Sequence, residues 1–167
     1  MNAQAIAADT HAIRSLLEQV TDPEIPVLTI ADLGILRDVY WEDEQLVVAI
    51  TPTYSGCPAM DTIEKDILFT LKNAGYDNIR VKTQLAPAWT TDWLSQAGRE
   101  KLERIGIAPP AESSGNKRSL MGALPIVRCP RCKSTNTDVI SHYGSTACKA
   151  LYKCNDCLEP FDYFKCI

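Results

Sequence analysis

Histidine is nearly missing from this chain: His11 and His142 are the two in 167 residues. A histidine-rich metal site is therefore not expected, and a Cys–His protease dyad would have to borrow its base from the first helix or from far downstream. No apolar run approaches the ~20 residues that cross a bilayer. The longest, Leu46 to Ile50, is strand-sized. Basic charge is also in short supply, with 17 Lys and Arg against 21 Asp and Glu for a net −4. That balance argues against a nucleic-acid partner, which favours clustered Lys and Arg. The phosphate-loop, dinucleotide, zinc-protease and nucleophile-elbow patterns are all absent. Residues 1–6 carry no basic, apolar export segment.

Cysteine is present in quantity. Seven of them, an odd number, without an export signal, fit metal or thiol chemistry in the reducing cytoplasm better than a disulfide scaffold. Charge is uneven along the chain: residues 125–167 are net +2, the remainder −6.

The pattern predicts a helix through Ile13, Leu16, Leu17 and Val20, capped at Asp9 or Thr10 and ended by Asp22-Pro23. Strands are expected at 35–41 and 46–51 around the polar turn Glu42-Asp43-Glu44-Gln45. A second helix starts at Pro58 and shows Met60, Ile63, Ile67, Leu68 and Leu71 on one face, ending near Gly75. A third strand follows at 79–85. A third helix then runs from about Trp89 to Gly106. The expected fold is α+β: an α-β-β-α-β-α domain over residues 1–106, with helices packed on a three-stranded sheet. Residues 107–124, rich in Pro, Ser, Gly and charge, read as a linker.

Residues 125–167 hold the strongest chemical signal. Cys129-Pro130-Arg131-Cys132 and Cys154-Asn155-Asp156-Cys157 are two C-x-x-C pairs separated by 21 residues, the arrangement of a four-cysteine zinc ribbon. Each pair forms a tight knuckle aiming two thiolates at one point. Strands are expected at 135–141, 150–153 and 161–165. So short a segment has little core, and a structural zinc supplies the stability it lacks. An iron site of the same ligands is the alternative. Cys148 and Cys166 are left over, each either buried and inert, a reactive thiol beside a lysine, or a substitute ligand.

Cys57 stands at the start of the second predicted helix, where free amides and the positive helix end favour a thiolate. Thr51, Thr53, Tyr54 and Ser55 add hydroxyls, while Asp22 and Glu24 offer carboxylates from another loop. The plain alternative is a small buried residue at a helix cap.

Asp22-Pro23-Glu24, Asp32-Leu33-Gly34 and the run Thr51-Pro52-Thr53-Tyr54-Ser55-Gly56-Cys57-Pro58 resemble the signature of the small iron–sulfur assembly domain shared by the bacterial SufT factor and the eukaryotic cytosolic targeting factor. With Pro87-Ala88-Trp89-Thr90-Thr91-Asp92-Trp93 and the ribbon, the whole chain is similar to the D-component family of phenylacetyl-CoA epoxidase systems. The resemblance implies a non-catalytic accessory factor of phenylacetate degradation, with Cys57 as reactive cysteine and Asp22, Glu24 and Thr51 as its polar associates. It implies transient iron or an iron–sulfur cluster as cargo, shared across a homodimer. The implied partners are oxygenase and reductase components and iron–sulfur assembly proteins. A stoichiometric component with a structural zinc is the competing implication, and a thiol redox enzyme using Cys57 is a third.

Overall fold

The computed structural model describes residues 3–110 and 126–165. It divides into two compact units, Met1–Trp89 and Thr90–Ile167. The first contains α1 (Ala3–Leu17), β1 (Leu36–Glu42), β2 (Gln45–Ile50), α2 (Ala59–Asn73) and β3 (Ile79–Thr83). Its sheet order is β1-β2-β3, with β1 antiparallel and β3 parallel to β2. Central β2 is buried from Leu46 through Ile50, which explains its unbroken apolar run. Ile13 and Leu17 of α1, with Ile63, Ile67 and Leu71 of α2, are fully buried. The two helices pack on each other and on β1 and β3 respectively. Glu42 pairs with Gln45, so the hairpin turn is Asp43-Glu44, with Asp43 at φ +54. Aspartate tolerates that left-handed conformation better than most residues.

Asp9 does not cap α1, which starts earlier. Its carboxylate instead accepts from Trp41 Nε1 at 3.2 Å and Tyr76 Oη at 2.7 Å, tying α1 to β1 and to the turn after α2. Burial, and then the Asp9 contact, push the Tyr76 phenol up to about 12. Tyr76→Phe is expected to cost about 1.5–3 kcal/mol, the range for a hydrogen bond to a charged group. Chemical denaturation of the two proteins measures it.

The second unit contains a short 3₁₀ turn (Thr91–Trp93), α3 (Gln96–Arg104), β4 (Ile107–Ala108), β5 (Thr137–Ser141), β6 (Lys149–Cys154) and β7 (Pro160–Phe164). Ser95 Oγ caps α3 by accepting from Gly98 N at 2.9 Å. The sheet order is β4-β7-β6-β5. This differs from the boundary expected after residue 106. The third helix belongs to the second unit, and the first residues of the expected linker form β4, paired in parallel with β7 at Asp162 and Tyr163. The physical reason is burial: Ala108 is 1% exposed and completes the ribbon core. Two residues before Pro109-Pro110 are too few to read as a strand. Residues 111–125, most of the expected linker, lie outside the described residues.

The ribbon core consists of Ala108, Val127, Ala150, Tyr152, Phe161, Tyr163 and two cysteines. Tyr152 stacks on Phe161 at 6.0 Å and meets the edge of Tyr163 at 5.4 Å between ring centroids. At the sheet edge, β5 is irregular between Val139 and Ser141, and Ile140 there is exposed. Such a bulge blunts an edge strand against pairing with other chains.

Candidate functional site

The two C-x-x-C knuckles are built alike, residue for residue. Cys129 N donates to Ser134 O at 2.8 Å, and Cys154 N donates to Glu159 O at 3.0 Å. Each knuckle turns through a left-handed residue just after its second cysteine, Lys133 at φ +66 and Leu158 at φ +64. Side chains clasp them together. Asp156 accepts from Ser134 Oγ at 2.5 Å and Asn136 Nδ2 at 2.8 Å, and Asn155 Nδ2 donates to Asp138 at 2.8 Å. Those hydrogen bonds hold the Asp156 carboxyl below the usual range. Sequence reasoning misses this clasp. Its one signal is polar residues in the variable knuckle positions, which many sequences place there for solubility alone.

The knuckles bring all four sulfurs within 4.8 Å of one another. Cys129 Sγ lies 3.7 Å from Cys157 Sγ, and Cys132 Sγ lies 3.4 Å from Cys154 Sγ. A tetrahedral zinc with Zn–S of about 2.3 Å has sulfur–sulfur edges of about 3.8 Å. The arrangement therefore fits a single four-thiolate ion. Among the described residues it is the one group of three or more Cys, His, Asp and Glu that could hold a metal. Burial is uneven: Cys129 and Cys154 are fully buried, Cys157 is half-buried and Cys132 is exposed. The backbone amides of Cys157 and Asp156 bring Cys154 down to about 7. Cys132, although it receives the Ser134 amide, is held up at about 12 by its hydrogen bonds with the other thiols. A bound cation removes that competition by taking all four as thiolates.

Cys148 stays outside this cluster, buried, with its Sγ 3.1 Å from Thr146 Oγ1. Cys166 lies outside the described residues.

In the first unit, Cys57 is half-exposed before α2, after Gly56 at φ +86. Its amide donates to Tyr54 O at 3.3 Å, closing the loop. The expectation of a ready thiolate is reversed. Burial pushes the Cys57 thiol above its ordinary value of 9.0; the Ala59 amide pulls it down, and the charges of Glu24 and Asp22 push it up again. The helix end does act, but desolvation, with the two carboxylates added to it, outweighs it. The charges of the Asp22–Glu24 loop thus act on Cys57. Asp22 is buried and its Oδ1 accepts from Glu24 N at 2.9 Å and Ile25 N at 2.8 Å, so part of its work is shaping that loop. Thr29 and Asp32 shape the other end by reciprocal bonds of 3.0 Å, and buried Trp89 donates from Nε1 to Leu33 O at 2.7 Å.

Thr51, at the end of β2, is 1% exposed, and its hydroxyl has no hydrogen-bond partner among the described residues. Thr51→Val removes a desolvated, unpaired hydroxyl and is expected to stabilise the chain by about 1 kcal/mol. Denaturant unfolding checks this; a loss of stability would mean the hydroxyl is satisfied in solution. For Cys57, the alkylation rate against pH should have its midpoint above 9.0, shifting down in Glu24→Gln. Iodoacetamide kinetics on both proteins measures the sign.

Comparison with known proteins places these features in a class. Residues 10–81 match the iron–sulfur cluster assembly protein family, and residues 113–165 match the PaaD zinc beta ribbon domain. A crystal structure of a domain of unknown function from Bacillus anthracis, 29% identical, covers 60% of this chain and 97% of its own at a TM-score of 0.56. An Fe-S protein maturation auxiliary factor of Porphyromonas gingivalis is 31% identical over 61% of this chain and 97% of its own length. The D component of the 1,2-phenylacetyl-CoA epoxidase of Escherichia coli K12 is 52% identical over 94% of this chain and 93% of its own. The chain belongs to the D-component family of phenylacetyl-CoA epoxidases. No described helix is long and apolar enough to cross a membrane.

Proposed function

We propose that this chain is an accessory maturation factor of a phenylacetyl-CoA epoxidase system, helping to build or insert an iron–sulfur or di-iron centre in the oxygenase or reductase. It turns over no substrate of its own. The observation that supports this reading is the Cys57 loop: one half-exposed thiol, its ionisation opposed by burial and by the charges of Glu24 and Asp22, within the segment that matches the iron–sulfur assembly family. Two carboxylates that disfavour a thiolate favour a cation, whose arrival displaces the thiol proton. Iron is here cargo. One thiolate cannot hold a cluster alone, so the remaining ligands come from the client, an assembly protein or a second copy of the chain. The ribbon zinc, held by Cys129, Cys132, Cys154 and Cys157, is structural, and it orders the surface that meets the partner.

The kinship with an epoxidase component supports a second reading, a stoichiometric non-catalytic part of the oxygenase complex. The two separate cleanly. Stripping the chain from already matured oxygenase should leave its iron and activity intact. Loss of activity on stripping, restored by adding the chain back without iron, would make it a stoichiometric component instead.

A further inference from the structure

The four ribbon cysteines are not equivalent toward reagents in solution. Each knuckle contributes one fully buried ligand, Cys129 and Cys154, and one that reaches solvent, Cys157 partly and Cys132 openly. Once an ion has drawn all four into thiolate form, access decides which sulfur meets a small oxidant first. Cys154 is placed to react next: its sulfur lies 3.4 Å from that of Cys132, the shorter of the two cross-knuckle contacts, the other being Cys129 to Cys157 at 3.7 Å.

We propose that Cys132 is the oxidation site of the ribbon, reacting first with hydrogen peroxide and then closing a cross-knuckle disulfide with Cys154. In the first step the Cys132 sulfur attacks one peroxide oxygen; the O–O bond breaks, giving a sulfenic acid and hydroxide. In the second the Cys154 thiolate attacks the Cys132 sulfur, the S–O bond breaks and a second hydroxide leaves. Two thiolates have lost two electrons to one peroxide, and solvent protonates both hydroxides. The site loses two of its four ligands, so zinc is released.

The geometry also makes the change recoverable. A Cys132–Cys154 bond joins the same two knuckles that the metal joins. With that bond in place of the metal, the Asp156 and Asn155 hydrogen bonds to Ser134, Asn136 and Asp138 keep the linked knuckles in register while the ion is away. Reduction by a thiol then restores the ligand set. A bond within one knuckle would leave the two hairpins unlinked.

The test uses the full-length zinc-loaded protein under limiting peroxide. Zinc release is followed with a chromogenic chelator, sulfenic acid is trapped with a dimedone probe, and disulfides are mapped by non-reducing peptide mass spectrometry. Expected are dimedone label at Cys132, a Cys132–Cys154 peptide accumulating in step with zinc release, and rebinding of zinc after thiol reduction. Label first at Cys57 or Cys148 with zinc retained, or disulfides confined to Cys129–Cys132 and Cys154–Cys157, would overturn the proposal. Because the mapping is done on the wild type, it does not depend on a ligand variant folding.

Discussion

Cys129→Ser or Cys154→Ser should abolish zinc binding and unfold the described ribbon, residues 126–165, while leaving the first unit folded. Both side chains are fully buried, and both belong to the core as well as to the ligand set. A structural zinc in a small domain contributes an apparent free energy of about 10–16 kcal/mol at neutral pH. A hydrophobic core this small rarely supplies more than ~3–5 kcal/mol. Removing one buried ligand therefore takes away the larger part of the ribbon's stability, and strong chelation of the wild type should have the same effect. Backbone amide spectra read this directly: the resonances of β5, β6 and β7 should collapse while those of β1, β2 and β3 persist. Retained dispersion in the metal-free protein would mean that the aromatic core of Tyr152, Phe161 and Tyr163 suffices.

Cys57→Ala should produce the opposite pattern, an intact fold and a failed function. The residue is half-exposed, sits in a loop and is absent from the buried cores, so its truncation should change stability by no more than about 0.5 kcal/mol. Oxygenase and reductase matured in the presence of this variant should have the activity they reach with no chain present. A Cys57→Ala protein that supports full maturation would place the functional group elsewhere, with the ribbon cysteines as the next candidates.

The parts legible in the sequence are those that rest on periodicity and fixed spacing. The apolar stripe of α2 and the run of β2 each have one structural solution, and two C-x-x-C pairs 21 residues apart leave the metal ligands little freedom. Less legible is whatever depends on contacts between distant segments. Asp9 looks like a cap because it is acidic near a helix start, yet Trp41 and Tyr76, far along the chain, claim its carboxylate. Ile107-Ala108 looks like linker because two residues show no period; pairing with β7 gives them a place in the ribbon. Cys57 illustrates a different gap. The helix end near it is visible in the sequence and favours ionisation, but the carboxylates of another loop and the loss of water prevail, and their effect is fixed only by folding.

The measurement that tests the maturation reading most directly is the iron and acid-labile sulfide content of the oxygenase and reductase, with their activities, purified anaerobically from three strains. One makes the wild-type chain, one the Cys57→Ala variant and one no chain. The account predicts metal-deficient client in the second and third strains and filled client in the first. Full iron and full activity in the strain without the chain would contradict it.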